Sequence, residues 1–354
     1  IDEPTYNYRG AMLDVARHFF SVSDVKRYID LMSMYKINFL HLHLSDDQGW
    51  RIEIKSWPRL TEIGGQTQVG GGEGGFYTQD DFKEIVQYAS ERFITIVPEI
   101  DLPGHTNAAL ASYAELNCNG KATELYTGIK VGFSTLCVDK DITYDFVDDV
   151  IREISEISPG PYFHIGGDES LVTPEEDFNR FMDRTLEIVK KYNKTPMGWY
   201  ELITADIPEE TLLQYWAKTE DFSKVIQKKS KILISASSYS YLDMKYDSIS
   251  PLGLYWAGYL PIQKAYEWDP RTLVEGLDPE LIIGLEAPLW SETLEDFDDI
   301  AYMAFPRLIG HAEIGWTKAS QKIWEDYAHR LSFHGPLLEK LNVKYYPAEE
   351  IDWK

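Results

Sequence analysis

Basic residues are few beside acidic ones: 34 lysines and arginines face 58 aspartates and glutamates, a formal net charge of -24 at pH 7. That balance argues against nucleic acid and anionic membranes as partners, because both call for a basic patch. A neutral substrate is the expectation. Long apolar runs are also missing, and none approaches the ~20 residues needed to span a bilayer. Cysteine is nearly absent. Cys118 and Cys137 could close one disulfide-bonded loop, which would suit an extracytoplasmic protein, or stay as two buried thiols. The glycine-rich stretch 64–75 lacks the Lys-Ser/Thr ending of a phosphate loop, and it reads as a surface loop. No composition shift marks a linker, so the expectation is one domain over 1–354. The chain starts at Ile1 rather than methionine, as a mature or excised segment would, and a secreted or extracytoplasmic location is expected, with the signal peptide outside this chain.

Apolar and aromatic residues are plentiful. At 354 residues and 44% hydrophobic, the chain can bury a sizeable core, and α/β barrels of this length fold as one domain. Aromatics make up 14%, including 10 tryptophans. Such rings serve equally well as sugar-stacking platforms and as core.

Short apolar runs alternate with amphipathic ones. The strand-like runs are residues 10–16, Ile37–Leu44, Ile94–Ile100, Tyr162–Gly166, Met197–Tyr200, Leu212–Trp216, Ile232–Ala236 and Ile282–Leu285. Helical patterns cover Val25–Tyr35, with N-cap chemistry at Ser23 and Asp24, then Thr78–Phe93, Thr143–Ile157, Glu175–Tyr192, 301–309 and 319–331. About eight strands alternating with helices predict a (β/α)8 TIM barrel. In that fold the site lies at the carboxyl ends of the strands. Polar and aromatic residues gather there: Arg17, Asp46, Asp101, His105, Asp168, Glu169, Trp199, Trp216, Tyr241, Asp243, Trp290 and Glu292.

The stretch Tyr162-Phe163-His164-Ile165-Gly166-Gly167-Asp168-Glu169-Ser170 is the most pointed of these ends. Two glycines allow a tight turn and close approach of a ligand. Two acids follow, and neighbours in a regular strand point to opposite faces, so they share a ligand only where the pleat has broken. An acid that protonates a leaving oxygen needs a raised pKa, and a neighbouring anion supplies one. Glycoside hydrolysis fits this set, with Glu169 as the acid and Asp168 as its helper. Two contiguous residues are poorly placed to flank a bond as the acid and nucleophile of an ordinary retaining glycosidase do.

Longer segments carry a resemblance. Arg9-Gly10 through Asp14-Val15-Ala16-Arg17-His18, His41-Leu42-His43-Leu44-Ser45-Asp46-Asp47-Gln48-Gly49-Trp50-Arg51, Pro98-Glu99-Ile100-Asp101-Leu102-Pro103-Gly104-His105 and His164-Ile165-Gly166-Gly167-Asp168-Glu169 closely resemble the family 20 β-N-acetylhexosaminidases. The match covers nearly the whole chain as a catalytic barrel. It implies exo-acting, retaining hydrolysis of a terminal β-linked N-acetylhexosamine, in which the 2-acetamido oxygen attacks the anomeric carbon to give an oxazolinium intermediate. It also implies roles. Glu169 is the acid/base, Asp168 orients and stabilises the acetamido group, and Tyr241 donates to its oxygen. Arg17, Asp243 and Glu292 bind ring hydroxyls. Trp199, Trp216 and Trp290 wall the sugar, and Trp256 is a candidate for stacking on the leaving sugar. Asp46, Asp101 and His105 support Glu169 from behind. No cofactor and no metal are implied. The small α/β domain that family members often carry ahead of the barrel is not in this chain.

Three other readings remain open at this point. His41 and His43 share one face of a strand, as metal-binding histidines do in some barrel hydrolases, although core histidines fit as well. A non-catalytic glycan-binding barrel would keep the tryptophans without needing the paired acids. An ordinary retaining glycosidase would use Glu292 as its nucleophile. The oligomeric state is open.

Overall fold

The computed structural model describes residues 2–217, 228, 230–273 and 275–354. Eight strands, β1 (Tyr8–Asp14), β2 (Phe39–His43), β3 (Thr95–Glu99), β4 (Tyr162–His164), β5 (Thr195–Trp199), β6 (Leu212–Tyr215), β7 (Lys231–Ile234) and β8 (Ile282–Leu289), form a closed barrel in sequence order. Every pairing is parallel, and β8 closes onto β1. The expected (β/α)8 architecture is the one observed.

Register decides what fills the barrel. Asp14 lies level with His43, His43 with Glu99, and Glu99 with His164, so β1 to β4 bring four polar residues to one height. Below them Tyr8, Val97, Met197, Leu212 and Leu233 plug the floor as a separate apolar cluster, with Phe39 and Tyr162 packed against it. Barrel interiors are ordinarily layers of branched aliphatics. Here the middle layer is made of ionisable side chains, and the mouth sits above it.

Outside, helices bury one stripe each. Val22–Met34 is capped by Ser21 rather than by Ser23 or Asp24. The Ser21 hydroxyl accepts from the Asp24 N–H, and the Asp24 carboxylate accepts from the Ser21 N–H, a reciprocal capping box. Thr78 and Asp81 repeat the device ahead of Gln79–Ser90. In Glu175–Lys191 acids occupy the first turn and lysines the last, matching the helix dipole. The expected single helix at 301–309 is two, Phe297–Ala304 and Arg307–Trp316, because Pro306 forces Phe305 into extended backbone. Likewise 319–331 divides into a short turn, Ala319–Gln321, and a helix, Trp324–Leu331. The glycine-rich stretch 64–75 is only partly surface: Arg51, fully buried, donates to the carbonyls of Gly65, Thr67 and Gly75 and gathers it inward. Cys118 and Cys137 form a disulfide in the irregular stretch between β3 and β4.

Two strand limits differ from expectation in ways that matter for the site. β4 stops at His164, because Gly166 (φ 66°) and Gly167 (φ 104°) leave the extended region. β8 runs on past Leu285 to Leu289. Its Glu286 is not a strand-ending charge but an inward-facing partner of His41, Tyr8 and Gln214.

Candidate active site

The turn after β4 is built for close approach. A Cβ on Gly166 would meet Asp101 Oδ1 at 1.8 Å, and one on Gly167 would meet Leu202 Cδ1 at 2.2 Å. Glycine is therefore required twice, and the chain turns hard enough for Asp168 and Glu169 to face one space. Asp101 Oδ1 fixes the turn by accepting from the Gly167 N–H at 3.0 Å. Glu169 itself has φ 45°, and His105, which faces it, has φ 54°. Left-handed backbone at residues other than glycine costs energy, and such strain concentrates at functional sites.

His105 Nε2 lies 3.6 Å from Asp168 and 3.7 Å from Glu169, while its Nδ1 is 3.2 Å from Asp46 Oδ1. Burial disfavours its cation, but Asp46, Asp101 and Asp168 together raise its pKa well above the ordinary histidine value. Asp46 also holds Arg17 at 2.9 Å, and despite burial Arg17 and His105 keep its carboxyl well below the usual range. Arg17 lies 4.8 Å over the ring of Trp290. Asp46, Asp101 and His105 are thus all buried next to the turn that carries the two acids.

Arg17, Asp168, Glu169, Trp216, Tyr241, Trp256, Trp290 and Glu292 line one pocket of ≈ 370 Å³, with Ile129 and Val131 on the facing loop. Burial, and after it the Asp168 carboxylate, push the Glu169 pKa up, as a proton donor requires. Tyr241, buried and beside Asp168, is raised well above its ordinary value and keeps its hydroxyl proton. Burial also raises Glu292 and, together with Glu292, Asp243. Arg17 Nε and Glu292 Oε2 are buried with no hydrogen-bond partner among the described residues. Such groups cost roughly 1–3 kcal/mol each when unmatched, so a hydroxyl-rich ligand has something to satisfy. Trp199 and Asp243 do not line this pocket. Trp199 is buried, its ring 5.8 Å from that of Trp290, and Asp243 is buried as well. Trp256 stands at the rim, 55% exposed, with its ring 5.7 Å from Tyr241 and 6.1 Å from Trp216. A larger cavity, ≈ 1120 Å³, opens beyond Trp216 and Trp256 but holds neither Asp168 nor Glu169.

His41 and His43 do share a face, and it points into the barrel. His41 contacts Glu286 through Nδ1 and Glu99 through Nε2, each at 2.9 Å, and with Glu99 and His164 it gathers ligand-type atoms within 4.8 Å. Both its nitrogens already face carboxylates, and those carboxylates raise its pKa to about 9 against the pull of burial. His43 lies between Glu99 and Asp46 and rises to about 10 on the same balance. His164 has its Nδ1 2.9 Å from Glu99 Oε1 and 3.1 Å from the Gly166 nitrogen, and burial holds it below its ordinary value despite Glu99. With carboxylates on both nitrogens of His41 and of His43, these rings are placed as hydrogen-bonded core histidines.

Sequence reasoning missed Glu201. It sits in the short turn Tyr200–Thr204 after β5 and accepts the Trp216 indole N–H at 3.2 Å on both carboxyl oxygens. The signal was present: Trp199-Tyr200-Glu201 is another acid just past a strand end. Glu99 was noted only as part of a motif, yet it takes the Trp199 indole N–H at 2.9 Å beneath the pocket.

Comparison with known proteins adds what geometry alone does not give. Residues 6–319 match the model of glycosyl hydrolase family 20, catalytic domain. The chain is 42% identical to a β-N-acetylhexosaminidase of Cellulomonas fimi, covering 99% of this chain and 72% of that protein. It is 36% identical to a β-hexosaminidase of Porphyromonas gingivalis, of which it spans 47%. Among solved structures, the family 20 β-N-acetylhexosaminidase of Streptomyces coelicolor A3(2) superposes with a TM-score of 0.97 at 53% identity, over 99% of this chain and 72% of that one. A mutant Streptomyces plicatus β-hexosaminidase in complex with its product GlcNAc gives 0.96 at 54%, with the same coverage. A barrel by itself hosts many unrelated chemistries. Identity at this level over the whole barrel goes further: the chain belongs to glycosyl hydrolase family 20 and is a glycoside hydrolase.

Proposed function

We propose that the chain is an exo-acting β-N-acetylhexosaminidase that releases a terminal, non-reducing β-linked N-acetylglucosamine or N-acetylgalactosamine with retention. The observation that carries this reading is the pair of contiguous acids, Asp168 and Glu169, on one wall of a pocket that also takes the buried Tyr241 hydroxyl. Glu169, raised by burial and by Asp168, donates its proton to the leaving oxygen. Asp168 takes the acetamido N–H and stabilises the positive charge that grows there, while Tyr241 donates to the acetamido oxygen and aims it at the anomeric carbon. The oxazolinium that forms is opened by water, with Glu169 now acting as base. A reactant held in this pose gains the intramolecular advantage that reaches ~7–11 kcal/mol in favourable systems.

Glu292 is the acid an ordinary covalent mechanism would use. Burial raises its pKa despite Arg17, the opposite of what an ionised nucleophile needs. Arg17 and Glu292 take ring hydroxyls in this reading, with Asp243 buried beside Glu292, and Trp290 and Trp216 wall the sugar. A pocket of ≈ 370 Å³ lies near the lower limit for small-molecule sites, which favours one terminal residue at a time. Hydrolase relatives that include a β-hexosaminidase in complex with GlcNAc support the substrate class. The Cys118–Cys137 disulfide supports an oxidising, extracytoplasmic location.

The test is incubation with an aryl 2-acetamido-2-deoxy-β-glucoside and with a β-linked oligosaccharide, followed by NMR of the first sugar released. Single residues appearing first as the β-anomer are expected. Binding without hydrolysis would favour a glycan-binding barrel instead, and release of the α-anomer would exclude retention.

A further inference from the structure

Trp216 is a partition. It lines the ≈ 370 Å³ pocket, and together with Glu169 it also lines a separate, mostly apolar groove of ≈ 580 Å³ that runs outward past Leu171, Phe178, Tyr200 and Ile203. Its ring is only partly buried, so packing alone does not fix its plane. Its indole N–H is held at 3.2 Å from both oxygens of Glu201. Glu201 in turn has an anchored backbone. Its turn is pinned by Thr204, whose hydroxyl donates to Asn179 and to the Glu201 carbonyl. Leu202 of the same turn lies under Gly167, against the residue that places Asp168 and Glu169. The turn that presents the two acids and the one that presents Glu201 are therefore a single packed unit.

We infer that Glu201 is a positioning and specificity-determining residue: by accepting the Trp216 indole N–H it fixes the partition between pocket and outer groove, and so limits the size of the 2-acylamido group admitted. The inference rests on the reading that the substrate carries such a group. The groups facing Glu201 are Asp168 and Glu169 from the β4 turn, Trp216 just after β6 and Tyr241 after β7. Burial, followed by the Asp168 carboxylate, pushes Glu201 up to about 8. Near neutral pH it is largely an uncharged acid, which accepts an N–H through its carbonyl oxygen as an amide would.

That equivalence defines the test. kcat/KM is measured for aryl β-glucosides bearing 2-acetamido, 2-propanamido or plain 2-hydroxyl groups. One surplus methylene in a shaped pocket is worth roughly 10–200-fold, and the wild type should prefer acetamido over propanamido within that range. Glu201→Ala should shrink the preference by roughly tenfold, the worth of one hydrogen bond. Glu201→Gln should restore it. In a Trp216→Phe background, which has no N–H to hold, Glu201→Ala should add no further loss of preference. The role of Glu201 is overturned if Glu201→Ala slows both amide substrates equally, if Glu201→Gln behaves as Glu201→Ala does, or if the two changes add. A wild type that hydrolyses the 2-hydroxyl substrate as fast as the 2-acetamido one would overturn the underlying reading of the reaction, and this inference with it.

Discussion

Two carboxyl groups inside the barrel, Glu99 and Glu286, and three toward its mouth, Glu169, Asp243 and Glu292, start from the same penalty and end on opposite sides. Burial pushes all of them toward the neutral acid. Inside, Glu99 answers it with His164, His43 and His41, and Glu286 with His41, Tyr8 and Gln214, and both are held below the ordinary glutamate value. At the mouth, Glu169, Asp243 and Glu292 find too little positive charge or too many neighbouring anions, and all three are raised. The interior has spent its hydrogen-bonding capacity on the fold. The mouth has kept its capacity for a ligand and its protons for transfer. The two tryptophan–glutamate pairs repeat the contrast: Trp199 is held from below by an ionised, fully matched Glu99, and Trp216 from the side by a largely neutral Glu201.

Substitution on each side should separate the two roles. Glu169→Gln should lower kcat by roughly 10²–10⁴-fold on substrates with poor leaving groups, and much less on leaving groups that need no proton. Its unfolding free energy should stay within about 0.5 kcal/mol of wild type, as for positions outside the core network. Equal kinetic losses across leaving groups would break the assignment. Glu99→Gln should do the reverse. It leaves buried cationic histidines without their shared anion, at a cost of about 3–5 kcal/mol for a broken buried pair, read from the denaturation midpoint in urea. A loss below about 1 kcal/mol, the scale of an exposed pair, would mean that the interior network is not what holds the barrel centre.

A smaller effect is the pH dependence of stability. His41 and His43 are raised to about 9 and about 10 in the folded protein, against about 6.5 in an unfolded chain. The stability they lend is complete below about pH 6.5 and is lost as pH climbs through their folded values. Glu99 and Glu286 are lowered, so their contribution is present above the ordinary glutamate range and is lost only as pH falls through their folded values. Tm should therefore decline between pH 7 and 10. A Tm that is flat there, or rises, would show that the interior histidines are not charged.

The mouth was far more legible in the sequence than the interior. Barrel strands deliver side chains at their carboxyl ends, so an acid or aromatic residue following an apolar run declares itself, as Asp168, Tyr241 and Glu292 did. Family resemblance then supplied the roles. Glu286 was hidden because a charge within an apolar run looks like the end of the strand. Only pairing across to β1 and β2 shows that it continues inward to meet His41 and Tyr8. Likewise His43, Glu99 and His164 lie far apart along the chain, and register alone brings them level. Glu201 was missed for a smaller reason. It stands one residue beyond Tyr200, and nothing in the sequence says that the turn curls back to reach β6.

The central claim is that the mouth lends its acids to a nucleophile that the substrate carries. Its most direct measurement pairs two aryl β-glucosides with the same leaving group, one with a 2-acetamido and one with a 2-fluoro substituent, each assayed by leaving-group release and by mass spectrometry of the intact protein. The account predicts rapid turnover of the first, near inertness of the second, and no covalent adduct from either. A burst of leaving group from the 2-fluoro compound, with the sugar's mass retained on a peptide containing Glu292, would contradict it.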